Sequence, residues 1–175
     1  ITIVTYQNEK YALQGFADKE VDRVHGIAPE KVSTLDIATS SVETSILPRT
    51  FTVFFNPNKQ AFLSDKKIRQ ALNMAINKQA IVDEILRGYG QVIETPYPFD
   101  SDQPAQLYNK EKAKDILYTS KYLKNASSTL TINLATANTP EMKTVAEKIK
   151  SDWEAIGVST NIQLYEFSDL NQTII

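Results

Sequence analysis

The apolar residues between Leu130 and Leu164 change period twice, and this constrains the fold more than any other feature of the chain. Leu130, Ile132 and Leu134 alternate with Thr131, Asn133 and Ala135, the period of a half-buried strand. Met142, Val145, Ile149, Trp153 and Ile156 then recur at helical spacing and form an inward stripe. Thr139 is a suitable N-cap, Pro140 fits the first helical position, and Gly157 stops the helix. Val158, Thr160, Ile162 and Leu164 alternate again with polar partners. A strand, helix, strand order of this length implies a right-handed crossover between parallel strands. The expected class is therefore α/β, a mixed sheet flanked by helices, with Leu130–Leu134 parallel to Val158–Tyr165.

Upstream, Ser64 is expected to cap a helix whose apolar face is Ile68, Ala71, Leu72, Ala75 and Ile76. Asn77 caps a second helix carrying Ile81, Val82, Ile85 and Leu86, with Gly88 at its C′ position. Asn109 caps a third, running to about Lys121, with Ala113, Ile116 and Leu117 facing inward. Thr50 to Phe55 is rich in β-branched and aromatic residues and reads as a strand buried on both faces, ended by Asn56-Pro57-Asn58. Ile1 to Tyr6 reads as a strand, Glu9 to Ala17 as a short helix, and Pro29 to Leu35 as a helical turn. Gln91 to Leu107 holds Pro96, Pro98 and Pro104 and has no period, the mark of a long functional loop. The chain opens in what reads as a strand and closes in a helical run without a stop signal. Both ends read as cut, so the chain is expected to be a piece of a longer protein.

Composition removes several classes of function. With 19 basic and 21 acidic residues there is no excess of positive charge to neutralise phosphates, so no nucleic-acid partner is expected. No stretch approaches the ~20 apolar residues that span a bilayer. The count of zero cysteines and one histidine excludes disulfides, thiolate sites and histidine-rich metal sites. Gly88-Tyr89-Gly90 follows a helix instead of opening one, so it is a stop and a turn, not a phosphate loop. No nucleophile elbow or nucleophile–base constellation is present, no metal site is expected, and the chain is read as a non-enzyme that uses no cofactor. Asp83-Glu84 and the Asp18/Glu20 pair read as surface charge, and His25 as a loop residue.

The residues that remain for binding lie after the two strands. In α/β sheets ligands collect beyond the carboxyl ends of strands. Thr136-Ala137-Asn138-Thr139 follows the first strand and Phe167 follows the second, so two loops of one crossover point to the same edge. A simple turn role for Asn138 is an equal alternative, and Trp153 on the apolar stripe reads as core before it reads as a ligand platform.

Phe55-Asn56, the run from Asp65-Lys66-Lys67-Ile68-Arg69-Gln70-Ala71-Leu72 through Asn73-Met74-Ala75-Ile76-Asn77-Lys78 to Ile81-Val82-Asp83, and the closing Gly88-Tyr89-Gly90 resemble the signature region of oligopeptide- and dipeptide-binding proteins. Asn109-Lys110-Glu111-Lys112-Ala113-Lys114-Asp115-Ile116-Leu117 and Ile156-Gly157-Val158 are similar to further elements of that family. Asp18-Lys19-Glu20-Val21-Asp22 departs from its pattern by lacking a glycine. The stretch from Asp65 to Gly90 is specific and the rest supports it.

The resemblance implies an extracytoplasmic solute-binding protein of the oligopeptide/dipeptide/nickel ABC-transporter class. Its fold would be type II periplasmic-binding-protein-like, with residues 1–175 forming most of the second lobe and truncated at both ends. It implies capture of peptides outside the membrane, in the periplasm or as a lipoprotein at the cell surface, by a monomer that serves a membrane permease. Nickel and sugar receptors share this lobe's signature. By the same resemblance Asn138, Met142, Thr136 and Ala137 line the cleft, with Phe167 at an aromatic position often held by tryptophan. Tyr97 and Phe99 match a cleft-facing loop. A sensory or interaction module that borrowed the lobe to couple ligand to signalling is the alternative of a different class.

Overall fold

The computed structural model describes residues 1–32, 35, 40–45, 50–94, 107–123, 129–166 and 168–170. The chain divides into two compact units, Ile1–Leu47 and Pro48–Ile175, where the sequence reads as one domain. Apolar burial accounts for the division, because every residue of the hydrophobic core belongs to the second unit.

In the first unit α1 (Glu9–Ala17) is capped by Asn8, whose side chain accepts from the Tyr11 N–H. A second helical turn, α2, covers Pro29–Val32. Its approach is fixed from α1, where Glu9 Oε1 accepts the Ala28 N–H at 2.5 Å. The Tyr6 hydroxyl donates to Glu20 at 3.2 Å and its ring lies on Gly15, which is buried and has no room for a side chain. Ile1 to Tyr6, expected to be a strand, is instead unpaired among the described residues, with Ile1, Ile3 and Val4 exposed. A β-branched run becomes a strand only where a neighbour takes its N–H and C=O groups.

The second unit begins with 50–55, also extended and outside any sheet among the described residues. It is buried on one face, not two: Val53 and Phe55 pack against the core while Phe51 and Phe54 are exposed. A 3₁₀ turn, Ala61–Ser64, precedes α3 (Lys66–Ala75). The cap is Asp65 in place of the expected Ser64, since Ser64 is taken up in the turn and the Asp65 carboxylate accepts the Lys67 N–H at 2.9 Å. Asn77 caps α4 (Lys78–Ala80) as expected. This runs into one π turn, Ile81–Ile85, and stops where Arg87 and Gly88 both take positive φ. Asn109 caps α5 (Lys110–Tyr118), shorter than expected, with Ala113 and Leu117 buried.

The crossover follows. Strands β1 (Leu130–Ala137) and β2 (Val158–Tyr165) are parallel and paired from Leu130↔Val158 to Ala137↔Tyr165, and α6 (Pro140–Glu154) joins them. These two strands form the sheet among the described residues. Thr139 caps α6 with Pro140 beside it, and Gly157 turns the chain back with φ of 90°. The expected stripe is in place, with Ile149, Trp153 and Ile156 buried, and it packs with Ile68, Leu72, Ile76 and Leu117.

Trp153 fixes α6 on α3. Its indole N–H donates to the Leu72 carbonyl at 3.0 Å, and its ring centroid lies 6.2 Å from that of Phe55. The preceding residue, Asp152, accepts the Asn77 N–H at 3.0 Å and Lys148 Nζ at 2.8 Å. The helix that carries the crossover is thereby held to the α3–α4 junction.

Candidate binding edge

The carboxyl ends of β1 and β2 meet side by side. Pairing continues one residue past the strands, where the Asn138 N–H donates to the Tyr165 carbonyl at 2.7 Å. The Thr139 N–H then closes a tight turn onto the Ala137 carbonyl at 2.9 Å, and the Thr139 hydroxyl accepts the Met142 N–H at 3.3 Å. Asn138 therefore sits at a strand end, a turn and a helix start at once. Its side chain crosses to β2, with Nδ2 donating to Glu166 Oε1 at 3.0 Å. Both residues are exposed.

Four of the residues expected at the site lie together here, in two settings. Asn138 is exposed and Met142 half-buried at the start of α6. Thr136 and Ala137 belong to β1 and not to the loop after it, and both are buried. Their extended pairing with Leu164 and Tyr165 of β2 draws them into the sheet. Tyr97, Phe99 and Phe167 lie outside the described residues.

Two residues of this edge do not follow from the sequence pattern. The alternation of β2 assigns Leu164 to the core, yet it is exposed. Glu166 follows the last alternating residue, and its only sequence signal is that position. The charged residues at the edge are Glu141 in the first turn of α6, Lys143, Glu166 and Asp169. Among the described residues no group of three or more His, Cys, Asp or Glu is arranged to hold a metal ion. A separate open concavity of about 480 Å³ lies at the opposite end of the sheet, between Tyr118, Leu123, Thr129, Glu154 and Gly157 to Ser159.

Comparison with known proteins decides the family. Residues 1–174 match the family described as bacterial extracellular solute-binding proteins, family 5, middle. The chain belongs to this family. Its members are substrate-binding proteins, not enzymes, and are extracytoplasmic. Heme-binding protein A of Haemophilus influenzae is 34% identical over 123 residues, 67% of this chain and 22% of the relative. A dipeptide-binding protein of Escherichia coli is 32% identical over 113 residues, 61% of this chain and 21% of the relative. The chain thus spans about a fifth of the length of these curated relatives. The periplasmic binding protein DppA of Helicobacter pylori, solved in complex with the peptide STSA, has a TM-score of 0.71 over 94% of this chain and 32% of its own. At 21% identity that likeness carries the fold alone, and the fold is the α/β architecture of periplasmic binding proteins.

Proposed function

We propose that this family 5 chain is one lobe of a two-lobed solute-binding protein that captures short peptides outside the cytoplasmic membrane. It then passes them, as a monomer in the periplasm or held at the surface by a lipid anchor, to the permease of an ABC importer. The observation that carries this reading is the paired carboxyl edge of β1 and β2, where the Asn138–Tyr165 hydrogen bond brings two loops to one side of the sheet. That is where an α/β sheet takes its ligand. Relatives whose names specify dipeptides support the peptide as solute.

In this reading Asn138 and Met142 contact the ligand. Thr136 and Ala137, being buried, hold the edge in place. Tyr97, Phe99 and Phe167 are proposed as further ligand contacts on the family resemblance alone. Two-lobed receptors bind by closing both lobes over the solute, which excludes water and surrounds its polar ends. A single wall leaves the peptide half solvated. Loss of even one buried charge-assisted contact costs ~1.5–3 kcal/mol, or tenfold to over a hundredfold in affinity.

Calorimetry of the 175-residue chain against a mixed library of di- to pentapeptides tests the reading. Binding weaker than ~1 μM is expected. Sub-micromolar binding would show that the chain is not one wall of a cleft.

A further inference from the structure

We propose that the face made by α3, α5 and the turn before α3 docks on an anionic lipid surface. The inference is independent of the peptide reading and uses none of the residues of the binding edge.

The two helices lie side by side and antiparallel. At one end the Asn109 N–H, which opens α5, donates to the Met74 carbonyl in the last turn of α3 at 2.9 Å. At the other end Tyr122, just past α5, meets the turn before α3. Its ring centroid lies 6.3 Å from that of Phe62, and its hydroxyl donates to the Ala61 carbonyl at 3.5 Å. Residues 57–70 and 107–123, which build this face, hold 8 basic and 3 acidic side chains. The rest of the chain holds 11 basic and 18 acidic ones. A chain of net charge -2 thus gathers its positive charge on one pair of helices.

The fold itself does not call for these lysines. Lys66, Lys67, Lys110, Lys112, Lys114 and Lys121 are exposed, and none is in an ion pair among the described residues. Elsewhere in the same unit Lys78, Lys148 and Lys150 each meet a carboxylate. Lys66, Lys67, Lys110 and Lys112 stand in the first turns of α3 and α5, where the helix dipole opposes a cation. Large apolar side chains are exposed among them, Leu107 at 77% and Tyr118 at 55%. Lys114 Nζ lies 5.9 Å from the centre of the Tyr118 ring, and Lys121 Nζ 4.9 Å from that of Tyr122. Ammonium groups beside exposed apolar side chains suit the headgroup region of a bilayer, where phosphates meet the charge and the acyl boundary meets the rings. An acidic protein fits less well, because protein interfaces favour arginine and are depleted in lysine. The arginine of this face, Arg69, is committed to the Leu63 and Ser64 carbonyls at 2.7 and 3.1 Å. The Tyr118 end of α5 lies beside Gly157, at the amino ends of the strands, so a membrane met there leaves the carboxyl edge open.

Flotation of the 175-residue chain with lipid vesicles tests the inference. Vesicles of phosphatidylcholine alone are compared with vesicles in which about a third of the lipid is phosphatidylglycerol, at ~0.05 M and ~0.5 M salt. At low salt the chain should bind the anionic vesicles at least about tenfold more tightly than the neutral ones, and high salt should remove the difference. Lys110→Gln, Lys114→Gln and Lys121→Gln together should weaken anionic binding roughly tenfold or more. Lys10→Gln, Lys19→Gln and Arg23→Gln together change the net charge equally, on exposed residues of the first unit, and should leave binding within about twofold. Leu107→Ser should weaken binding several-fold by removing an apolar anchor. Equal binding to both kinds of vesicle, binding to neither, or an equal loss in the two triple variants overturns the inference. Retention on immobilised poly-glutamate without binding to vesicles assigns the face to an acidic protein and overturns it as well.

Discussion

Replacing Trp153 with phenylalanine isolates the contact that holds the crossover helix to the rest of its unit. Leu72 lies in the last turn of α3, whose final carbonyls have no partner within the helix. The Ile76 N–H, which would reach Leu72 in a continuing helix, bonds to the Asn73 carbonyl at 3.3 Å. The indole N–H of Trp153 fills that vacancy at 3.0 Å, in a fully buried site. Phenylalanine leaves a buried carbonyl unsatisfied, at ~1–3 kcal/mol. It also removes about two methylene equivalents of apolar volume beside Phe55, at ~0.8 kcal/mol each. A loss of ~2–4 kcal/mol follows, because some of the void closes. The midpoint of thermal unfolding should fall by roughly 5–15 °C, followed by far-UV circular dichroism, since the variant has no tryptophan emission. A change under ~0.5 kcal/mol, the range of ordinary surface substitutions, would refute both the helix register and the role of the indole as the C-terminal cap of α3.

Leu72→Ala should cost ~2–5 kcal/mol in the same assay, because it empties a core site while leaving the backbone hydrogen bond in place. Asp152→Ala should cost ~1–3 kcal/mol by stranding the Asn77 N–H, and an unchanged urea midpoint would show that α6 is not tied to the α3–α4 junction there. Gly157→Ala should lose ~1–2 kcal/mol, since φ is 90° and the new Cβ would lie 3.3 Å from the Tyr118 hydroxyl. The dialysed protein should retain no stoichiometric nickel or zinc by elemental analysis, because carboxylates alone favour weak binding of hard cations.

The parts legible in the sequence are those set by local chemistry. Asn77, Asn109 and Thr139 each cap the helix that follows them, because a cap needs only its own side chain and an N–H three residues on. The stripe through Ile149 and Trp153 was readable for the same reason: fifteen residues of helix repeat one pattern four times over. Strand extent is different, because it depends on the partner. Thr136 and Ala137 read as loop from their own types, yet Leu164 and Tyr165 pair with them and carry β1 to its end. Thr50–Phe55 has the composition of a strand and lacks a pairing neighbour among the described residues. Ser64 and Asp65 are both good caps, and the 3₁₀ turn that takes up Ser64 leaves Asp65 to serve. At this edge the sequence pattern placed Asn138 in the turn after β1 and Met142 in the first turn of α6. Glu166 stands out only by following β2, since its hydrogen-bond partner lies 28 positions away.

The central claim is that ligand meets the carboxyl edge of β1 and β2. The two ends of an eight-residue strand are ~23 Å apart, far enough for a paramagnetic label to distinguish them. The chain has no cysteine, so a nitroxide can be carried on the cysteine of a tetrapeptide without labelling the protein. With this peptide at millimolar concentration, amide signals should broaden first at Asn138 and Met142 and then at Ala137 and Glu166. Broadening centred on Thr129, Gly157 and Ser159, the open concavity at the amino ends of the strands, would contradict the account.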